Sequence, residues 1–152
     1  MFIRLESPAQ PDVKRLIAEL DAYQTALYPA ESNHLLDIAS LLQPQVLFAV
    51  ARDARGEALG CAALVLAGNS GELKRMYVPP RSRGQGVAKG LMQFLESEAA
   101  RRGCTTLRLE TGIHQPEALG LYAAAGYARS GPFGDYREDP LSVFMQKSLA
   151  QP

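Results

Sequence analysis

Residues 72–110 leave this chain few ways to fold. Glu72–Val78 reads as a strand. It runs into Pro79-Pro80-Arg81-Ser82-Arg83-Gly84-Gln85-Gly86-Val87-Ala88, a turn that two prolines start and two glycines finish. From Gly84 to Arg102 the apolar residues Val87, Leu91, Phe94, Leu95 and Ala99 recur at helical spacing, and Gly103 stands where a helix commonly ends. Thr105–Glu110 then reads as another strand. A strand, a glycine-bearing turn, a helix and a strand make a β-α-β crossover, which commits the chain to a sheet covered by helices.

The flanking segments extend that sheet. Phe2–Leu5 reads as a short strand. Pro11 to Leu27 has the apolar spacing of a helix, with Pro11 suited to its first turn. Tyr28-Pro29-Ala30-Glu31 breaks it, and Ser32 or Asn33 is placed to cap a second helix running to Leu42. Gln45–Ala51 and Ala58–Leu66 flank the turn Asp53-Ala54-Arg55-Gly56 and form a hairpin. Gln115–Ala125 reads as a last helix. Tyr127–Ser130 and Leu141–Ser148 are closing strands around a loop rich in glycine and proline. The element order, β-α-α-β-β-β-α-β-α-β-β, describes a mixed α+β fold. Its 152 residues fit a single domain, long enough to bury roughly 68–70% of the extended chain's surface.

The charges narrow the function classes. Sixteen basic and sixteen acidic side chains cancel, which argues against a protein that wraps a polyanion such as nucleic acid. Residues 1–72 carry 5 basic and 9 acidic side chains, whereas residues 73–152 carry 11 and 7. Lys74, Arg75, Arg81, Arg83 and Lys89 fall in a stretch, 73–95, that holds no acid. Such a stretch suggests a local anion site. The apolar run near Ala58–Ala67 is too short to cross a bilayer, and the first six residues lack the pattern of a signal peptide. Cys61 and Cys104 make neither a disulfide framework nor a metal-ligand spacing, so a reducing cytoplasm is the expected setting and no metal is expected.

The anion site is expected at the turn after Val78. Glycines let backbone N–H groups approach a ligand, a helix N-terminus adds unsatisfied donors and partial positive charge, and Arg81 and Arg83 add forked donors. Together they make a pyrophosphate cradle. The P-loop string is absent. A dinucleotide fingerprint is disfavoured, because Gly84 lies six residues past Val78 and the third glycine position holds Lys89.

At these residues the chain resembles the GNAT superfamily of acyl-CoA-dependent N-acetyltransferases. Arg81-Ser-Arg-Gly84-Gln-Gly86-Val-Ala matches the pattern [QR]-x-x-G-x-[GA] of its pyrophosphate motif. Glu72-Leu-Lys-Arg-Met-Tyr-Val is similar to its fourth strand, and Ala118-Leu-Gly-Leu-Tyr122-Ala-Ala-Ala-Gly126-Tyr127 to its second signature. The resemblance covers essentially the whole chain. It implies a three-layer fold with a mixed, largely antiparallel sheet of about seven strands, splayed between strands 4 and 5 and flanked by about four helices.

The resemblance also implies that acetyl-CoA is the co-substrate. Its pantetheine arm would lie along Met76, Tyr77 and Val78, and its pyrophosphate over Arg83, Gly84, Gln85, Gly86, Val87 and Ala88, with Arg81 alongside. Ala118 joins the cofactor contacts. Many members place an asparagine before the last helix, where this chain reads Gly112-Ile113-His114-Gln115-Pro116. Gln115 or His114 is expected to replace it. Tyr122 is the candidate acid, since a phenol stays protonated at neutral pH. Glu72 is the leading candidate base, Glu110 the second, and water the third. A Met76 N–H is a candidate oxyanion donor. The acceptor, a small-molecule or peptide amine, is expected between Tyr28, Glu31, Asn33 and His34 on one side and Tyr136 on the other. Homodimerisation is common in the superfamily. A non-catalytic CoA-binding sensor would share the same phosphate loop.

Overall fold

The computed structural model describes residues 1–30 and 37–150. Seven strands form one sheet: β1 (Phe2–Leu5), β2 (Val46–Arg52), β3 (Ala58–Ala67), β4 (Ser70–Tyr77), β5 (Thr106–Gly112), β6 (Ala128–Ser130) and β7 (Ser142–Ser148). Their order is β1-β2-β3-β4-β5-β7-β6, and every neighbouring pair is antiparallel except β4 and β5. The helices are α1 (Pro11–Leu27), α2 (Ile38–Leu41), α3 (Val87–Arg101) and α4 (Pro116–Ala124), with a short 3₁₀ turn at Pro80–Ser82. This is the mixed, largely antiparallel sheet with four helices that the sequence implies.

The long apolar runs of β2 and β3 follow from burial on both faces. Ala49, Ala51, Ala62 and Leu64 belong to one core with Val87, Leu91, Met92 and Leu95 of α3. Phe48, Val50, Cys61 and Ala63 belong to a second core with Val13, Leu16 and Ile17 of α1 and Leu41 of α2. In α3 Met92 is buried along with Val87, Leu91, Leu95 and Ala99, whereas Phe94 is only partly buried.

Several boundaries differ from the sequence reading; β4, for one, begins at Ser70 rather than Glu72. Glycine at Gly86 takes φ 76, so α3 begins at Val87 rather than Gly84. Asp37 is extended and caps α2 by accepting a hydrogen bond from the Ser40 N–H at 2.8 Å, so α2 starts at Ile38. The expected caps Ser32 and Asn33 lie outside the described residues. Pairing with β7 carries β5 two residues beyond Glu110.

The site depends on what happens between β4 and β5. They pair only from Ser70↔Thr106 to Leu73↔Leu109. Beyond that, β4 stays paired with β3 as far as Tyr77, and β5 with β7 as far as Gly112. The two central strands therefore part while each remains held on its outer side. A bulge sits where they part: Arg75 and Met76 together face the single residue Ala62, between the pairs Ala63↔Lys74 and Cys61↔Tyr77. Arg75 has φ 57, the one positive value outside glycine among the described residues. Because one residue is extra, the alternation shifts: Leu73 and then Met76 and Val78 pack on the α3 core, while Tyr77 packs on the α1 core.

A charged cluster pins α1 over the sheet. Arg52 donates to Glu6 at 2.9 Å and to Asp12 at 2.6 Å, and Gln10 donates to Glu6 at 2.9 Å. Burial pushes the Glu6 carboxyl up, but the hydrogen bonds from Arg52, Gln10 and Arg4 outweigh it and hold Glu6 at about 2. A depressed carboxyl contributes stability above its ordinary 4.5 and loses it as pH falls towards about 2. Glu6→Gln should therefore lower unfolding free energy by about 1–3 kcal/mol at pH 7. Urea melts should show the gap to wild type closing as pH falls through this window.

Candidate active site

A cavity of about 540 Å³ opens between the parted strands. At one end β4 runs out through Val78 into the glycine turn. Gly84 has φ 79 and Gly86 φ 76, and a Cβ at either would meet nothing within 4 Å, so the backbone there is open. Val87 and Ala88 begin α3, whose N-cap glycine supplies no side-chain cap to its first N–H groups. Arg83 donates from Nε to the Val78 carbonyl at 3.3 Å. This turn has the open backbone, helix N-terminus and guanidinium that a pyrophosphate needs.

Met76, Tyr77, Val78, Arg83, Gly84, Gly86, Val87, Ala88, Gln115 and Ala118 all line the cavity. Arg81 and Gln85 do not. The Arg81 side chain is 60% exposed and reaches Glu19 of α1 at 3.2 Å. Tyr77 donates to the same carboxylate at 3.3 Å.

Tyr122 lines the middle of the cavity from α4, with only 7% of its surface exposed. Burial pushes its phenol up to about 12, so it carries its proton at neutral pH. Its ring meets that of Tyr127 edge-on at 6.0 Å.

At the far end Glu72 and Lys74 project from β4 into a polar group the sequence did not foretell. The Tyr136 hydroxyl donates to Glu72 at 2.6 Å and accepts from Lys74 Nζ at 2.7 Å, while Lys74 and Glu72 are 3.5 Å apart. Phe133 and Phe144 hold the Tyr136 ring edge-on. Burial, then the Glu72 carboxylate, raise the Tyr136 phenol. Glu110 also lines the cavity and accepts from Ser142 Oγ at 2.8 Å. Lys74 stands two residues from Glu72 on one strand, so alternation was the available signal for it. Its link to Tyr136 spans 62 residues and had no local signal.

Tyr28 lines the cavity beside Gln115. Its hydroxyl donates to Gln115 Oε1 at 3.2 Å and accepts the His114 N–H at 3.1 Å. Its ring stacks on His114, centroids 5.4 Å apart. Of the two residues offered in place of asparagine, it is Gln115 that lines the cavity. Glu31, Asn33 and His34 lie outside the described residues.

Comparisons with known proteins bear on the family and the fold. Residues 13–127 match the model of the Acetyltransferase (GNAT) family. The chain belongs to the GNAT acetyltransferase family. An IAA acetyltransferase of Azospirillum brasilense is 48% identical over 149 residues, covering 97% of each chain. The N-acetyltransferase YsnE of Bacillus subtilis is 37% identical and is covered along its full length by 98% of this chain. A crystal structure from Klebsiella pneumoniae, assigned as an acyl-CoA N-acyltransferase, superposes with a TM-score of 0.85 at 43% identity, covering 98% of this chain and 97% of that one. An aminoglycoside 6'-N-acetyltransferase complexed with coenzyme A shares the fold at 20% identity, with a TM-score of 0.76 and coverage of 100% and 99%.

Within this GNAT acetyltransferase, no group of three or more His, Cys, Asp or Glu among the described residues could hold a metal ion. No described helix is long and apolar enough to cross a membrane. Gly112 is fixed by its neighbour: a Cβ there would overlap the Tyr28 hydroxyl and ring. Gly112→Ala should therefore destabilise the protein by about 1–3 kcal/mol through overpacking. Adding Tyr28→Ala should recover less than additive loss, which a double-mutant cycle of urea melts would read.

Proposed function

We propose that the chain transfers an acetyl group from acetyl-CoA to a primary amine of a small molecule or peptide, by direct attack and without a covalent enzyme intermediate. The observation that carries this reading is the single cavity joining an open phosphate cradle, a buried protonated Tyr122, and the carboxylates Glu72 and Glu110. The acyl thioester supplies the acetyl group and a good leaving thiolate. The chain's residues do the rest.

In this reading the glycine turn, Arg83 and the α3 N-terminus hold the pyrophosphate, with Gln85 and Arg81 alongside. The parted edge of β4 at Met76, Tyr77 and Val78 offers backbone partners to the pantetheine arm, a ligand form of strand addition. Gln115 takes the position of the family's asparagine. Its Oε1 accepts from Tyr28, which leaves its Nε2 to donate to the cofactor. Glu72 accepts the proton of the amine, and Tyr136 and Lys74 fix its carboxylate. Tyr122 gives its proton to the departing thiolate. Glu110 is the alternative base, supported by its place on the opposite strand of the same cavity. The acceptor enters between Tyr28 and Tyr136. The buried Cys61 and Cys104 suit a reducing cytoplasm. All of residues 1–152 serve as one domain, and a homodimer remains the partner expected from the family.

A thiol-release assay across a panel of amines tests the reading. Wild type should release CoA thiol with at least one amine. Tyr122→Phe should lower kcat roughly 100-fold or more while leaving the KM for acetyl-CoA nearly unchanged. Glu72→Gln should lower kcat roughly 100-fold with acetyl-CoA KM nearly unchanged; a loss of that size in Glu110→Gln and not in Glu72→Gln would give Glu110 the role of base. CoA binding with no thiol release on any amine would favour the sensor.

A further inference from the structure

Arg75 is the anomaly of the site. It lies in the β4 bulge, one residue before Met76, in the left-handed region that a side chain other than glycine adopts at a cost. Only 6% of it is exposed. Its Nη2 donates to Asp21 and to the Ile17 carbonyl at 3.5 Å, both on α1. Its Nε and Nη1 are buried without a hydrogen-bond partner. Its own carbonyl accepts from the Cys61 thiol at 3.6 Å.

Two of these features are unfavourable for stability, the positive φ and the unpartnered nitrogens. A buried guanidinium with two unpaired nitrogens is costly, and so is the backbone conformation. An apolar residue in a regular strand would pack with neither cost. Without the bulge, alternation from Leu73 would turn residue 75 into the α3 core and Met76 out of it. The bulge does the reverse, and it falls where β4 leaves β5. Strain concentrated at one residue beside a cavity is a pointer to function.

We propose that Arg75 is a positioning residue: its buried guanidinium, tied to Asp21 and Ile17 on α1, holds the β4 bulge in the conformation that aims the Met76 N–H at the carbonyl of the bound thioester. This rests on the acetyl-transfer reading above. Arg75 borders the cavity, but its guanidinium is turned to Asp21 and Ile17 of α1. It acts by fixing the strand segment at Met76, and by registering α1, whose Leu20, Tyr23 and Gln24 line the cavity, against that segment.

Glycine separates backbone from side chain, because it keeps the positive φ and loses the guanidinium. Arg75→Gly and Asp21→Ala should each lower kcat roughly tenfold to a hundredfold, the size expected for a misplaced oxyanion donor. The KM for acetyl-CoA should stay within about twofold, because the pyrophosphate cradle is untouched. Arg75→Lys should recover part of the loss by restoring the pair with Asp21. Assays are run well below each variant's own Tm, and Asp21→Ala serves if Arg75→Gly does not fold.

A spectroscopic readout needs no acceptor. The carbonyl stretch of bound acetyl-CoA labelled with ¹³C at the carbonyl should lie at lower frequency than in water for wild type, and should move back in Arg75→Gly or Asp21→Ala. An unshifted band in wild type, or a band and kcat unchanged in both variants, would overturn the proposal. A wild type that shows the shifted band yet acetylates no amine would sink the transfer reading and leave the role of Arg75 supported.

Discussion

Hydrogen bonding between β4 and β5 stops after Leu73↔Leu109, and the rest of the molecule is arranged around that stop. A parallel pair in the middle of a sheet normally runs its full length. Here the outer neighbours, β3 and β7, continue to pair and carry the two strands apart. Lys74–Tyr77 on one side and Glu110–Gly112 on the other then face a gap instead of each other. Backbone groups left in this way call for partners, and the cavity is where a ligand can provide them. The crossover helix begins at the wide end of the same gap, so phosphate-binding geometry and the parted strands come from one topological decision.

Electrostatics organise the roof above that gap. The N-terminal half, residues 1–72, holds nine of the sixteen acidic side chains. Several of those on α1 and before it reach across to bases elsewhere: Glu6 and Asp12 to Arg52, Glu19 to Arg81, Asp21 to Arg75. α1 is fastened to the sheet at its start by the first pair of contacts and over the cavity by the last. The zero net charge is thus partly a sum of cross-layer pairs, while Arg83 and Lys89 stay beside the glycine turn.

Local patterns were legible and long-range ones were not. The strand, glycine turn and helix at residues 72–102 could be read because each signal lies within a few residues of the structure it specifies. The cavity collects most of the side chains those motifs single out, Tyr122 and Glu72 among them. The bulge at Arg75 left only an indirect trace, the spacing of Leu73, Met76 and Val78, since a bulge is defined by the partner strand. The Glu72–Tyr136–Lys74 group and the Tyr28–Gln115 contact join residues more than sixty positions apart in sequence. Sequence proximity offered no way to pair them. Arg81 was read as a phosphate ligand from its motif, and its reach to Glu19 depends on where α1 lies.

The shared volume of Tyr28 and Gly112 gives the history of such a chain a direction. A side chain at position 112 has nowhere to go while the Tyr28 ring is in place. A smaller residue at position 28, by contrast, leaves only space. Exchanges at the two positions are therefore ordered: 28 must shrink before 112 can grow. Once 112 has grown, the way back to tyrosine is closed until it shrinks again. A pair of this kind works as a ratchet on the entrance between α1 and β5, so related chains that carry a side chain at position 112 should also carry a smaller residue at position 28.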